Sequence, residues 1–369
     1  MKNREEWTSR SRLNAACGLE VPDRVPVLTY SNHFQLRWAG YSYGEVMREG
    51  EKFVEAQVEA LDHFGYDGVT SIGGPGMVAD ALGAKLLVPE EESPSMTEPG
   101  LTEKREEIDV EGLYNRDLRR NEFIRFSLEV TGKLKEALPP GVPLIAAISS
   151  PFREAALLRG FERLFIDIAE EPEFVRELIK LTTGRLYEFA KLAVGAGADV
   201  LGLTDPFASR SMISRSRFEN TVLPSEKELV GRIHETTEAK VLFHTCGQWG
   251  DRFDLASQAG ADIYHIDRIG DMGLGETVER YGDSSAIMGR LSTTGLLLNG
   301  EPEEVCRAAR KSIAAAAEGG NYVLGGNCSL APDTPPENLE AAVAAAKRYG
   351  TYPLEASEID DTEKGLCSK

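Results

Sequence analysis

His244 and Cys246 stand two residues apart in the stretch KVLFHTCG (240–247), and Cys328 follows far downstream in GGNCS (325–329). In an extended segment a spacing of two puts both side chains on one face. One imidazole nitrogen and two sulfurs suit zinc, a borderline-soft cation that favours four-coordinate N/S sites. Three protein ligands leave a fourth position open, the arrangement of a catalytic rather than a purely structural centre. A metal held there would deprotonate a bound thiol, which with a pKa of about 8.5 is mostly protonated at neutral pH. Packing is the plain alternative for any single cysteine, since free cysteine is among the most buried residue types.

Short apolar runs alternate with helix-like segments and must position these residues. The runs begin at Val25 (VPVLTYS), Asp67 (DGVTSI), Val142 (VPLIAAISS), Ala198 (ADVLGLTD), Lys240 (KVLFHTCG), Ala261 (ADIYHID), Ser285 (SAIMGRL) and Asn321 (NYVLGGNCS). Nearly continuous apolar runs of this length are expected of parallel strands buried on both faces. Between them, residues 173–194 carry apolar side chains at three and four spacing. Residues 301–318 open on Glu301-Pro302-Glu303-Glu304 and finish at Gly319-Gly320, and 335–349 run from the candidate cap Thr334 to Gly350. Eight strands with helical crossovers predict an α/β fold, the (β/α)8 TIM barrel. A doubly wound open sheet competes, but no strand is followed by a Gly-x-Gly-x-x-Gly turn.

The expected domain plan is a single barrel over 1–354 with an insertion between the second and third strands. That insertion, 73–141, holds a glycine-proline loop, the acidic PEEESPSMTEPG and an amphipathic helix around 118–137, and could lie over the barrel mouth as a lid. The acidic tail, 355–369, has little to bury and is expected to be disordered.

Barrel active sites lie at the carboxyl ends of the strands. Those ends hold Asp205 after the fourth run, His244 and Cys246 on the fifth, His265 and Asp267 on the sixth, and Asn327-Cys328 on the eighth. Asp205, His265 and Asp267 are candidates for orienting a ligand or supplying a fourth metal contact, with ordinary hydrogen bonding to loops as the alternative. Tyr30, Arg37 and Trp38 follow the first run and are candidate substrate contacts. His33, His63 and His234 read as surface or packing residues, and Cys306, inside an alanine-rich helix, as core filler. Cys17 and Cys367 carry no signal.

The 369 residues include 60 acidic and 41 basic side chains, for a net charge of −19. That argues against a nucleic-acid surface, which needs a basic face. No apolar run approaches the roughly 20 residues of a membrane span. The charged opening MKNREEWTSRSRL lacks the apolar core of a secretory signal, so a cytoplasmic protein is expected. Five widely spaced cysteines make no disulfide framework.

Over about residues 10–350 the chain resembles the uroporphyrinogen decarboxylase superfamily. The resemblance rests on PDRVPV (22–27), FERLFIDIAEEPEFV (161–175), HTCG (244–247), IMGRLSTTGLLLNGEPEEV (287–305) and GGNCSLAPDTPPENL (325–339). Within it the chain resembles the zinc-dependent corrinoid methyltransferases, whose His-x-Cys…Cys motif falls on His244, Cys246 and Cys328, with 81 residues between the cysteines. The resemblance implies Zn2+ as cofactor and methyl transfer between a corrinoid, such as methylcobalamin carried on a separate corrinoid protein, and a small molecule. That molecule would be a thiol acceptor such as coenzyme M or a methyl donor such as an aromatic methyl ether. The chain has no Asp-x-His-x-x-Gly stretch of its own for holding cobalamin. A metal-independent decarboxylase of the same fold is the alternative, and a docking partner with a structural zinc is a third reading. The decarboxylases' Arg-Gln-Ala-Gly-Arg segment is missing, since the region reads SNHFQLRWAGYSYG, and so is their aspartate after the second strand. A substrate bearing several carboxylates would need those arginines.

Overall fold

The computed structural model describes residues 7–354. Seven parallel strands form one curled sheet: β1 (Val69–Thr70), β4 (Leu144–Ala147), β5 (Val200–Thr204), β6 (Lys240–Gln248), β7 (Ile263–Arg268), β8 (Ala286–Met288) and β9 (Tyr322–Val323). Their spatial order follows the chain without reversal, so the doubly wound alternative falls. The remaining two strands, β2 (Lys85–Leu87) and β3 (Ser95–Glu98), pair antiparallel between β1 and β4. All seven of the expected runs from Asp67 onward contribute a strand to the sheet.

The first expected run forms no regular strand but lies in the gap between β1 and β9. Leu28 donates its backbone N–H to Leu324 at 3.0 Å, Leu324 donates to Pro26 at 2.9 Å, and the Val27 carbonyl accepts from Asp67 at 2.7 Å. Proline at position 26 removes one donor, which helps explain why a continuous ladder is not built here.

An aspartate at the start of a strand recurs as the device that fixes neighbouring strands. Asp67, Asp199 and Asp262 each precede a strand and each accept a backbone N–H from the neighbouring segment: Val27 at 2.8 Å, Leu144 at 2.9 Å and Val241 at 2.8 Å. Each carboxylate is also paired with cations. Arg12 and Arg24 both reach Asp67 at 2.7 Å, Arg10 and Lys135 reach Asp199, and Lys240 reaches Asp262. These anchors lie at the amino ends of the strands, the face of such folds concerned with stability.

The sheet interior is filled in layers. Val200, Leu242, Ile263, Ala286 and Val323 contribute one apolar side chain per strand, and helix Ser9–Cys17 packs Leu13, Ala16 and Cys17 on the same cluster. Burial pushes the Cys17 thiol up to about 12, as befits core filler. Two larger apolar clusters separate the sheet from the surrounding helices.

The expected helices are present as Pro172–Gly195, Pro302–Ala316 and Pro336–Tyr349. Thr334 does not cap the last one. That helix starts after Pro335, and the Thr334 hydroxyl is buried without a hydrogen-bond partner. The helix expected around 118–137 runs Glu122–Ala137 and is capped by Asn121, whose side chain accepts the Ile124 N–H. Cys306 is buried in the apolar cluster behind the sheet, as read. The expectation of a disordered tail lies outside the described residues. Among those described, no helix is long and apolar enough to cross a membrane.

Candidate metal centre

Strand periodicity builds the site. Leu242, His244 and Cys246 share one face of β6, and because Leu242 belongs to the interior cluster, the other two also face inward. By the same count Ile263, His265 and Asp267 point inward from β7, and Val200, Gly202 and Thr204 from β5. The interior therefore changes from apolar at its floor to imidazole one layer up, and to sulfur and carboxylate at its rim.

Cys328 arrives from a loop, five residues beyond the end of β9 rather than on the strand. That loop turns tightly: a Cβ on Gly326 would meet Thr293 at 2.5 Å and the Cys328 carbonyl at 2.9 Å. The ligand atoms of His244, Cys246 and Cys328 all lie within 4.8 Å of one another, and His244 Nε2 is 3.5 Å from Cys328 Sγ. His244 Nδ1 faces the His265 carbonyl at 3.3 Å. Donation from Nδ1–H fixes the tautomer that leaves the Nε2 lone pair pointing at the two sulfurs, the usual arrangement around a metal-bound histidine. The two sulfurs perturb each other: Cys246 pulls Cys328 below the ordinary thiol range, and Cys328 pushes Cys246 above it. One nitrogen and two sulfurs in a half-buried cluster fit zinc.

His265 is fully buried, packs against His244 with ring centroids 4.3 Å apart and planes tilted by 34°, and bonds through Nε2 to the Gly326 carbonyl at 2.9 Å. Burial, then the neighbouring His244, holds its pKa well below the usual value, so it stands neutral. Asp267 lies at the rim. Its Oδ2 accepts the Gly247 N–H at 2.8 Å and its Oδ1 accepts from Asn327 Nδ2 at 2.7 Å. The Tyr30 hydroxyl reaches the Gly202 carbonyl and Thr204 Oγ1, each at 3.1 Å, and its carbonyl accepts from Ser329 beside Cys328. Glycine at 202 is required, because a Cβ there would come within 2.5 Å of the Tyr30 ring.

A cavity of about 430 Å³ opens above the cluster, with Tyr30, His244, Cys246 and Cys328 in its wall. Met77, Phe123 and Phe126, from the connection between β1 and β4, supply apolar surface, and Thr204 and His33 are also exposed to it.

Three expected contacts lie elsewhere. Asp205 has the opposite parity to Thr204 and turns out of the interior. It is fully buried, accepts from Ser150 at 2.5 Å and from the Phe207 and Ala208 N–H groups at 3.0 Å, and burial pushes it up to about 6. Arg37 is on the surface, paired with Glu91 at 3.5 Å and Asp333 at 3.4 Å. Trp38 packs against His63 and Phe64. Helix His33–Trp38 turns His33 toward the cavity and carries Arg37 and Trp38 away from it.

Arg153 went unnoticed in the sequence. It borders the cavity from the first turn of helix Pro151–Arg159, whose cap is Ser150. The signal was available: a cation in the first turn opposes the helix dipole and is unexpected there without a task.

A family profile described as "Uroporphyrinogen decarboxylase (URO-D)" matches residues 8–349. The methylcobamide:CoM methyltransferase MtbA of Methanosarcina mazei is 25% identical over 348 residues, covering 93% of this chain and 99% of that protein. A methylated-thiol–coenzyme M methyltransferase from the same organism is 27% identical over 269 residues, 73% of this chain and 69% of that one. A uroporphyrinogen decarboxylase from Magnetococcus marinus is 22% identical, covering 93% and 97%. Among solved structures, a methyltransferase from Methanosarcina mazei superposes with a TM-score of 0.83 at 22% identity, over 93% of this chain and 99% of that chain. The chain belongs to the uroporphyrinogen decarboxylase (URO-D) family.

Proposed function

We propose that this chain is a zinc-dependent, corrinoid-linked methyltransferase that moves a methyl group between a corrinoid protein and a small molecule. The observation that carries the reading is the convergence of His244, Cys246 and Cys328 within 4.8 Å beneath an open cavity. Relatives named as methylcobamide:CoM methyltransferases support it. When bound, zinc would hold a substrate sulfur as thiolate, or polarise the leaving atom of a methyl ether. Linear attack on a methyl group needs little proton traffic, so positioning dominates the remaining work.

That positioning falls to this chain's own residues. The His265 carbonyl orients His244, and Asp267 ties the Cys246 turn to the Cys328 loop. Tyr30 braces the Cys328 loop from the opposite side through Ser329. Residues 25–30 take the place of an eighth strand, closing the sheet as a (β/α)8 barrel within one domain over 1–354. The 73–141 connection acts as the lid that narrows the mouth.

The cavity volume sits toward the lower end of the roughly 300–1,000 Å³ typical of small-molecule sites. It admits a small thiol or methyl ether. A corrin ring, far larger, would sit at the mouth on its own carrier protein. The decarboxylase reading fits poorly, because a tetrapyrrole with several carboxylates would meet Arg153 as the only arginine in the wall among the described residues. Elemental analysis tests the proposal. It expects about one zinc per chain, and methyl transfer lost on chelation and restored by zinc; a metal-free protein that transfers methyl groups at full rate overturns it.

A further inference from the structure

Arg153 is the one strongly basic side chain in the cavity wall among the described residues. Its guanidinium makes no ion pair or hydrogen bond to them, and Nε is buried without any partner. Its Cζ lies over the Phe207 ring, 5.7 Å from the centroid. A planar fork of five donors is rarely left unmatched away from bulk water, because burial of an unpaired charge is costly. The charge also sits in the first turn of a nine-residue helix, where the aligned backbone dipoles already favour an anion. Ser150 holds that turn by accepting the Arg153 N–H at 3.2 Å, while its own hydroxyl donates to Asp205. Asp205 therefore fixes the support of Arg153 without neutralising it by direct contact.

Arg153 borders the same small cavity as Cys246 and Cys328, whose wall also includes apolar side chains such as Met77, Phe123 and Phe126. We infer that the small molecule handled at the metal centre carries an anionic group, a carboxylate, sulfonate or phosphonate, which pairs with Arg153 while its reacting sulfur or ether oxygen lies at the three ligands. The inference rests on the proposed function for the reacting atom, but the anion contact stands on Arg153 alone. It assigns Arg153 a binding role, with the apolar wall selecting a short, compact body between the two ends.

Calorimetric titration of the full chain with matched probes tests this. One pair is 2-mercaptoethanesulfonate and neutral 2-mercaptoethanol; the other is 4-methoxybenzoate and methoxybenzene. Each pair is run on zinc-loaded and on metal-stripped protein. The charged member of at least one pair should bind roughly 10- to 100-fold more tightly, as expected for charge-assisted bonds to a guanidinium. Arg153→Gln should abolish that preference, and Arg153→Lys should restore part of it, since charge without the fork recovers only part of the contact. Equal binding of charged and neutral members in both pairs, or a preference that persists in Arg153→Gln, overturns the inference. Because the methoxybenzoate preference is read without metal, failure of the zinc reading leaves this result separately legible.

Discussion

Asp267 accepts a hydrogen bond from Asn327 at 2.7 Å, joining the rim of β7 to the residue that precedes Cys328. The other carboxylate oxygen holds the Gly247 N–H, one residue past Cys246. A single side chain thus links the segments that carry the two sulfurs. Asp267→Ala should release both segments and weaken zinc binding by roughly 10- to 100-fold, the usual effect of losing a group that orients ligands. Competition against a chromogenic chelator would measure it, with circular dichroism confirming an unchanged fold. Affinity equal to wild type would show that the sulfurs are held without Asp267.

Removing the ligands themselves should be harsher. Cys246→Ser and Cys328→Ser each replace a soft sulfur with a poorly ionised hydroxyl, so purified variants should carry well under half the zinc of the wild type. Cys17→Ser, made in the buried interior cluster, should leave zinc content per folded chain unchanged. Equal zinc in all three variants would mean that the metal binds elsewhere.

At the opposite end of the sheet the prediction concerns stability alone. Asp67 is buried beneath Arg12 and Arg24 and also anchors the Val27 N–H. Asp67→Ala would take the carboxylate from Arg24, leave Arg12 with Asp23 alone, and free the 25–30 segment. The expected loss is about 3–5 kcal/mol, read as a lower denaturation midpoint. A change under about 1 kcal/mol would show that this segment is held by packing instead.

Glu226 gives a pH signature. Both carboxylate oxygens are buried without a hydrogen-bond partner, and burial, followed by the nearby Asp205, raises its pKa well above the usual 4.5. The folded chain therefore binds this proton more tightly than the unfolded chain does. Stability should fall as pH rises from about 4.5 toward the folded-state value, by about 1.4 kcal/mol per pH unit for this group. Glu226→Gln keeps the shape and loses the titration, so its melting temperature should gain on the wild type with rising pH. Parallel curves for the two proteins between pH 5 and 8 would contradict this.

The candidate metal cluster and seven strands were legible because strand periodicity and ligand chemistry are local properties of the chain. His244 and Cys246 declare themselves by spacing, and the same count of two places His265 and Asp267 inward. It would also have turned Asp205 outward and chosen Thr204, had parity been applied at that strand. The first run kept its place without becoming a regular strand, because Pro26 interrupts its donors while long-range bonds to Leu324 and Asp67 hold it. Arg37 and Trp38 were misplaced because the orientation of the short helix after Tyr30 depends on distant partners: Glu91, Asp333, His63 and Phe64. Arg153 could be noticed as a cation in a first helical turn, but its place in the cavity wall without a partner emerges only from the assembled fold.

The central claim is methyl transfer between a corrinoid and a small molecule at the His244–Cys246–Cys328 centre. The most direct measurement mixes zinc-loaded protein with methylcobalamin and a thiol, or with cob(I)alamin and a methyl ether, and follows the cobalt absorption. One mixture should convert with a rate that collapses in Cys328→Ser and on chelation. A cobalt spectrum that stays unchanged in every mixture, with zinc bound, would contradict the account.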